Sequence, residues 1–198
     1  MTGTTAPRSV ATSESDPLVD AARRGERHAL RTLVSRLLPR VRNLVRYLVR
    51  GDLEVDDLAQ DALIEIVRSL PGYRGDGSFD GWVGRIVTRS TLATVRRRRM
   101  ERAQSYQEEG SSADLRIVGA DDRNDDYLER RRLVQVLDRI PDEQRLALVL
   151  HHVVEMSVPE IAEALGAPLE TIRSRLRLGR ARVRSLLSPG DGAEGEEP

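Results

Sequence analysis

Three stretches of this chain hold side chains whose types and spacing could act on another molecule. "RSRLRLGRARVR", Arg173 to Arg184, places an arginine at every second or third position. A guanidinium can bond guanine O6 and N7 together, or grip phosphate oxygens. "DDLAQDALIEIVR", Asp56 to Arg68, sets Asp57, Gln60, Asp61, Ile64, Glu65 and Arg68 on the helical face opposite its apolar residues. That face suits either a basic partner or plain solvent. "YRGDGSFD", Tyr73 to Asp80, is a glycine-bearing loop with aromatic residues, able to form an anion nest or a small stacking surface.

Catalytic chemistry is not indicated. No Gly-Lys-Ser or Gly-Lys-Thr follows the loop, which argues against a nucleotide site. His151 and His152 are adjacent, so a helix directs them to different faces, unlike the i, i+4 pair of a zinc helix. With three histidines and no cysteine, neither a metal site nor a disulfide is expected. No carboxylate pair has surroundings suited to acid–base work. The expectation is a binding protein, not an enzyme, without cofactor or metal.

The arginine stretch must be positioned by what precedes it. In "SVPEIAEALGAPLET", Ser157 and Glu160 form a Ser-x-x-Glu capping box, with Pro159 in the first turn. Ile161, Ala162 and Leu165 make an inner face, and Gly166 ends the helix. A second helix starts near Pro168 or Leu169. A short capped helix, a glycine turn and a longer basic helix make a helix-turn-helix pattern. At ~100° per residue, Ile172, Leu176, Gly179 and Val183 fall inward. Glu170, Arg173, Ser174, Arg177 and Arg184 fall outward. Arg173 and Arg177, with Ser174, are placed for base edges, and Arg175, Arg180 and Arg182 for phosphates. Leu178 is apolar but off the buried side, suited to a thymine methyl or to solvent.

The first half supplies the remaining helices. Asp16-Pro17 is a helix start that stops at Gly25. Apolar residues from Leu30 to Leu48 recur at helical steps, and Pro39 is expected to kink that helix. From Leu53 to Leu70, Val55, Leu58, Ala59, Ala62, Leu63, Ile66, Val67 and Leu70 form one stripe. A further helix spans about Asp80 to Arg102, with Trp82, Val83, Ile86, Val87, Leu92 and Val95 inward. The polar, acidic run that follows reads as a flexible linker holding one small apolar patch, "LRIV" at 115–118.

Composition narrows the class. The chain has 198 residues, 39% of them hydrophobic and 3% aromatic. The core must be built from aliphatic residues at helical period. All basic charge is arginine, which as a bias over the whole chain reads as genome base composition. Formal net charge is zero, unlike a protein that coats DNA by itself. The opening "MTGTTAPRSVATSES" lacks an apolar segment, and no apolar run is long enough to span a bilayer. A cytoplasmic protein without membrane insertion is expected.

Residues Val136 to Arg184 resemble region four of sigma-70 factors, in the small extracytoplasmic-function (ECF) group. The likeness rests on Ile140-Pro141, Ser157 to Ala162, Leu165-Gly166 and Thr171 to Leu176. Residues Asp56 to Val87 resemble region two of the same group, through Asp56-Asp57-Leu58, Gln60-Asp61, Tyr73-Arg74-Gly75, Phe79, Trp82 and Ile86. Together the two likenesses cover roughly 16–102 and 127–187, in the family's order.

The resemblance implies an all-α chain of two small helical domains. Residues 1–15 would be a disordered tail, 16–102 region two, 103–126 a flexible acidic linker, 127–187 region four and 188–198 an acidic disordered tail. It implies a sigma factor that binds core RNA polymerase and directs promoter-specific initiation. Asp57, Gln60, Asp61, Ile64 and Glu65 would dock on the arginine-rich coiled coil of the largest polymerase subunit. Tyr73, Arg74, Asp76, Ser78, Phe79, Arg85, Arg89, Arg96 and Arg97 would meet the minus-ten element, the loop capturing a flipped base. Thr171, Arg173, Ser174, Arg177, Leu178 and Arg180 would meet the minus-thirty-five element. The linker would thread the RNA exit path. Implied partners are the beta-prime and beta subunits of core polymerase, promoter DNA and an anti-sigma factor. Arg89 stands where the group often has asparagine, Thr94 where aspartate is common, and Leu178 where arginine is common. Two alternatives stay open: a stand-alone helix-turn-helix regulator, or a sigma mimic that titrates an anti-sigma protein.

Overall fold

The computed structural model describes residues 16–104 and 125–187. Both expected tails, the "LRIV" patch and nearly all of the expected linker lie outside the described residues. The described residues are helical: α1 (Pro17–Arg23), α2 (Arg27–Leu48), α3 (Val55–Ser69), a single 3-10 turn (Leu70–Gly72), α4 (Phe79–Gln104), α5 (Asp125–Asp138), α6 (Asp142–His152), α7 (Val158–Leu165) and α8 (Leu169–Leu187).

The first four helices form one bundle. Asp16 caps α1 by accepting from the Leu18 N–H at 3.0 Å, and Pro17 sits where its missing donor is not needed. The α2 helix runs on through Pro39, because Leu37, Val41, Leu44, Val45 and Leu48 bury one face on both sides of it. The α3 stripe is confirmed at Val55, Leu58, Ala59, Ala62, Leu63 and Ile66. Val67 departs from it and is 36% exposed. At ~100° per residue it stands about 110° from the stripe's centre, beside Ile64.

The inner face of α4 also differs from the pattern. Val83, Ile86 and Val87 are buried, but Trp82, Leu92 and Val95 are only half-buried. Thr88, Thr91 and Thr94 are buried in their place. The branched Cβ of threonine fills a helix contact as that of valine does. The hydroxyls of Thr88 and Thr91 have no hydrogen-bond partner among the described residues.

The last four helices form the second bundle, in which α8 packs on α6 and α7. Ile172 and Leu176 are buried, each contributing roughly 1.5–3 kcal/mol. Gly179 lets α8 approach α6, since a Cβ there would lie 2.9 Å from Leu148 Cδ1. Val183 is half-buried beyond it.

The bundles touch through ion pairs from the end of α2. Arg46 meets Asp138 at 3.2 and 2.6 Å, and Asp52 at 2.6 Å. Arg50 reaches Asp142 and the carbonyls of Asp138 and Ile140, each at 2.6 Å. Arg145 is 2% exposed and reaches Asp142 at 3.2 Å, Asp138 at 3.3 Å and the Leu48 carbonyl at 3.4 Å. Burial pulls its pKa below the ordinary arginine value, which Asp142 opposes.

Candidate nucleic-acid interface

The support for α8 is built locally. The Ser157 hydroxyl accepts from the Glu160 N–H at 3.4 Å, and Glu160 Oε2 accepts from the Ser157 N–H at 2.7 Å, completing the capping box. Gly166 ends α7 at φ 62°, a left-handed conformation that favours glycine. Hydrogen bonds from Ser157, then from Arg85, hold the Glu160 carboxyl down from 4.5 to about 2.

On α8, Arg173, Arg177, Arg180 and Arg184 line one shallow depression with His151 and Val158. The steps of four, three and four place them in one row along the helix. Arg173, Arg177 and Arg180 are exposed, and Arg173 pairs with Glu170. Arg180 belongs to this row and not to a separate flank. It donates to His152 Nε2 at 3.3 Å. Burial first, then the charges of His151 and Arg180, lower the His152 pKa, which suits an acceptor. Ser174 does not join the row. It is half-buried and borders a different groove, with Thr171, Arg175, Leu178 and Glu143. Arg175 is held by Glu143 at 2.8 Å with its side chain 20% exposed. It braces α8 on α6.

The two histidines were expected to diverge. Their rings nonetheless meet edge to face with centroids 4.8 Å apart, while His151 Nδ1 lies 3.1 Å from the Met156 carbonyl and His152 Nε2 faces Arg180. Among the described residues no metal-holding group of His, Asp and Glu exists.

In the first bundle the loop before α4 is pinned by aromatic contacts. Tyr73 lies 5.3 Å from Phe79 and 5.1 Å from Trp82, and Phe79 stacks on Trp82 at 5.6 Å. Tyr73 is 9% exposed and donates from its hydroxyl to the Gly77 carbonyl at 2.9 Å. Burial raises its pKa, so it stays a donor. Arg23 lies 5.9 Å over its ring. The Ser78 hydroxyl accepts from the Gly81 N–H at 3.0 Å and so caps α4. Tyr73 and Ser78 therefore hold the loop, while Arg74 and Asp76 are exposed and Phe79 is half-buried.

Along α4, Arg85, Arg89, Leu92 and Arg96 fall within about 60° of one another, opposite the buried face. Arg98 turns away to Glu54 at 3.1 Å, and Arg97 faces solvent near Glu101. The arginine row is met by α7. Arg85 pairs with Glu160 at 2.8 Å, and Arg96 donates to the Ala164 carbonyl at 3.1 Å. Sequence reading missed this contact. The acidic edge of α7 offered a signal, but no periodicity reveals a meeting of residues so far apart in the chain.

On α3, Asp57, Gln60, Asp61, Ile64 and Glu65 are all exposed, as their place opposite the apolar stripe predicts. Among the described residues Asp57 and Asp61 have no ion-pair partner. Ile64, 41% exposed, and Val67 form an apolar spot among the carboxylates.

No helix among the described residues is long and apolar enough to cross a membrane. Residues 33–101 match the Sigma-70 region 2 family, and residues 130–183 match Sigma-70, region 4. The chain is 35% identical to ECF RNA polymerase sigma factor SigE of Mycolicibacterium smegmatis, over 79% of this chain and 60% of that protein. It is 30% identical to the ECF RNA polymerase sigma-E factor of Haemophilus influenzae, over 87% of this chain and 94% of the relative. The solved structure of CnrH in complex with the cytosolic domain of CnrY superposes with a TM-score of 0.51 at 25% identity, covering 86% of this chain and 95% of that one. With an arginine row on each of two small helical bundles, the chain belongs to the sigma-70 family, as an ECF RNA polymerase sigma factor that directs transcription initiation through regions 2 and 4.

Proposed function

We propose that each region meets its own target through the surfaces above. The α3 face, Asp57, Gln60, Asp61, Ile64 and Glu65 with Val67, docks on a basic, partly apolar surface of core polymerase. Opposite charge sets orientation and on-rate there, and Ile64 and Val67 add contact area. Arg74, Asp76 and Phe79, held by Tyr73 and Ser78, receive a minus-ten base. Arg85, Arg89, Arg96 and Arg97 follow the phosphates of the same strand. The α8 row reads the minus-thirty-five element: Arg173 and Arg177 at base edges, Arg180 at a phosphate, with Thr171, Ser174 and Leu178 along the groove wall. Region two occupies 16–102 and region four 127–187, and the chain works in the cytoplasm beside polymerase.

The observation that carries this reading is the four-arginine row on a capped, glycine-turned α8, joined in one chain to an exposed, unpaired carboxylate face on α3. A regulator working alone needs the first but not the second. An anti-sigma partner is proposed because CnrH was solved with the cytosolic domain of CnrY, and another similar fold, RpoE of Bartonella quintana, with the anti-sigma factor NepR. The chain plus core polymerase should start transcription at a discrete set of promoters on genomic DNA, read by transcript sequencing. Initiation no different from core alone would refute the proposal.

A further inference from the structure

We propose that Arg23, on α1, is a positioning residue for minus-ten recognition, acting through the Tyr73 ring on the loop that carries Arg74 and Asp76. The claim rests on the reading of that loop as the receiver of a minus-ten base. The loop has little support of its own. Arg74 and Asp76 alternate with Gly75 and Gly77, which stand at φ 80° and 136°. Those conformations suit glycine, and glycine constrains a backbone least. A site that selects one base must hold its groups to within about 0.5 Å. One side chain supplies the constraint. Tyr73 begins the loop, and its hydroxyl donates to the Gly77 carbonyl at 2.9 Å, so the same residue closes both ends. Where the ring turns, Gly77 and the two side chains between must follow.

The ring is set in turn by two helices. From α4, Phe79 meets it edge to face at 5.3 Å and Trp82 lies tilted at 5.1 Å. From α1, the Arg23 guanidinium carbon stands over the ring, 5.9 Å from its centroid. That is within reach of a cation on an aromatic face. Arg23 Nε is buried with no hydrogen-bond partner among the described residues, and the ring offers the guanidinium its electron-rich face instead. Asp20, one turn earlier, pairs with Arg23 Nη1 at 3.6 Å and steadies the group. The helix itself is fixed. Val19 and Ala22 are buried, Asp16 accepts from Arg36 of α2 at 2.7 Å, and α1 packs on the 3-10 turn that leads into Tyr73. A helix that precedes residues 33–101, the stretch matched to region 2, thus reaches the loop. The neighbouring Arg24 does not, since it pairs with Glu26 at 2.8 Å.

The test reads base preference within one reaction. The full chain with core polymerase transcribes a library built on one promoter that the wild-type chain uses, with the minus-ten bases randomised. Transcripts are counted by sequencing, and thermal melting confirms the fold of each variant. Arg23→Gln should flatten the preference at one minus-ten position by ~2–5-fold, the size of one exposed cation–aromatic contact. Preference at the minus-thirty-five element and association with core polymerase should not change. Arg23→Lys keeps the cation and should keep the preference, and Arg24→Gln should leave it as in wild type. Tyr73→Phe removes the hydroxyl and should flatten the same position, and adding Arg23→Gln should flatten it no further. An equal loss on every library member would make Arg23 a phosphate contact or a general stabiliser and overturn the proposal. A loss with Arg23→Lys or Arg24→Gln as large as with Arg23→Gln would overturn it too. Arg74→Ala with Asp76→Ala separates the two claims. Flattening there but not with Arg23→Gln sinks only the positioning role, and no flattening with either sinks the loop reading and the proposal together.

Discussion

The Glu160 carboxylate serves two partners at once: one oxygen accepts from the Ser157 N–H at 2.7 Å, and the other from Arg85 Nη2 at 2.8 Å. One residue thus starts the first helix of the helix-turn-helix and ties it to the other region.

Because the folded carboxyl is held down to about 2, its stabilising contribution is fully present above pH 4.5 and is lost as pH falls through about 2. Ser157→Ala removes the leading hydrogen bond. It should raise the Glu160 pKa toward 4.5, seen by NMR titration, and cost about 1 kcal/mol by chemical unfolding.

Asp61 is exposed and has no ion-pair partner among the described residues. Asp61→Arg should leave the melting temperature unchanged yet weaken association with core polymerase by ~10-fold, about 1.4 kcal/mol. Wild-type affinity in a competition assay would remove α3 from the docking surface.

Arg173 and Arg175 are two residues apart and should behave differently. Arg173→Ala should cost ~1–3 kcal/mol at one base position, measured across a panel of promoter variants. An equal loss on every sequence would mean a phosphate contact only. Arg175→Ala loses the Glu143 pair and should show chiefly as lower thermal stability.

Thr91 is fully buried and its hydroxyl has no partner among the described residues. Thr91→Val keeps the shape and removes that unmatched group, so it should stabilise the fold by ~1 kcal/mol in urea titration. A loss of stability would show that the hydroxyl is satisfied in solution.

Most of the local structure was decided by the amino-acid order alone. Helical period marked α2, α3 and α8. Ser157, Glu160 and Gly166 set the limits of α7, because capping and left-handed turns depend on neighbours a few residues away. The inward set Ile172, Leu176 and Gly179 and the outward carboxylates of α3 followed from the same period. Only the tertiary structure decided which polar residues are spent inside the protein. Thr91 is core, Arg175 and Arg145 are braces, and Tyr73 holds its loop. Likewise only the fold brings Glu160 and Ala164 onto Arg85 and Arg96. Those partners stand some seventy residues apart, so no local rule couples them, and their meeting depends on how two finished bundles pack.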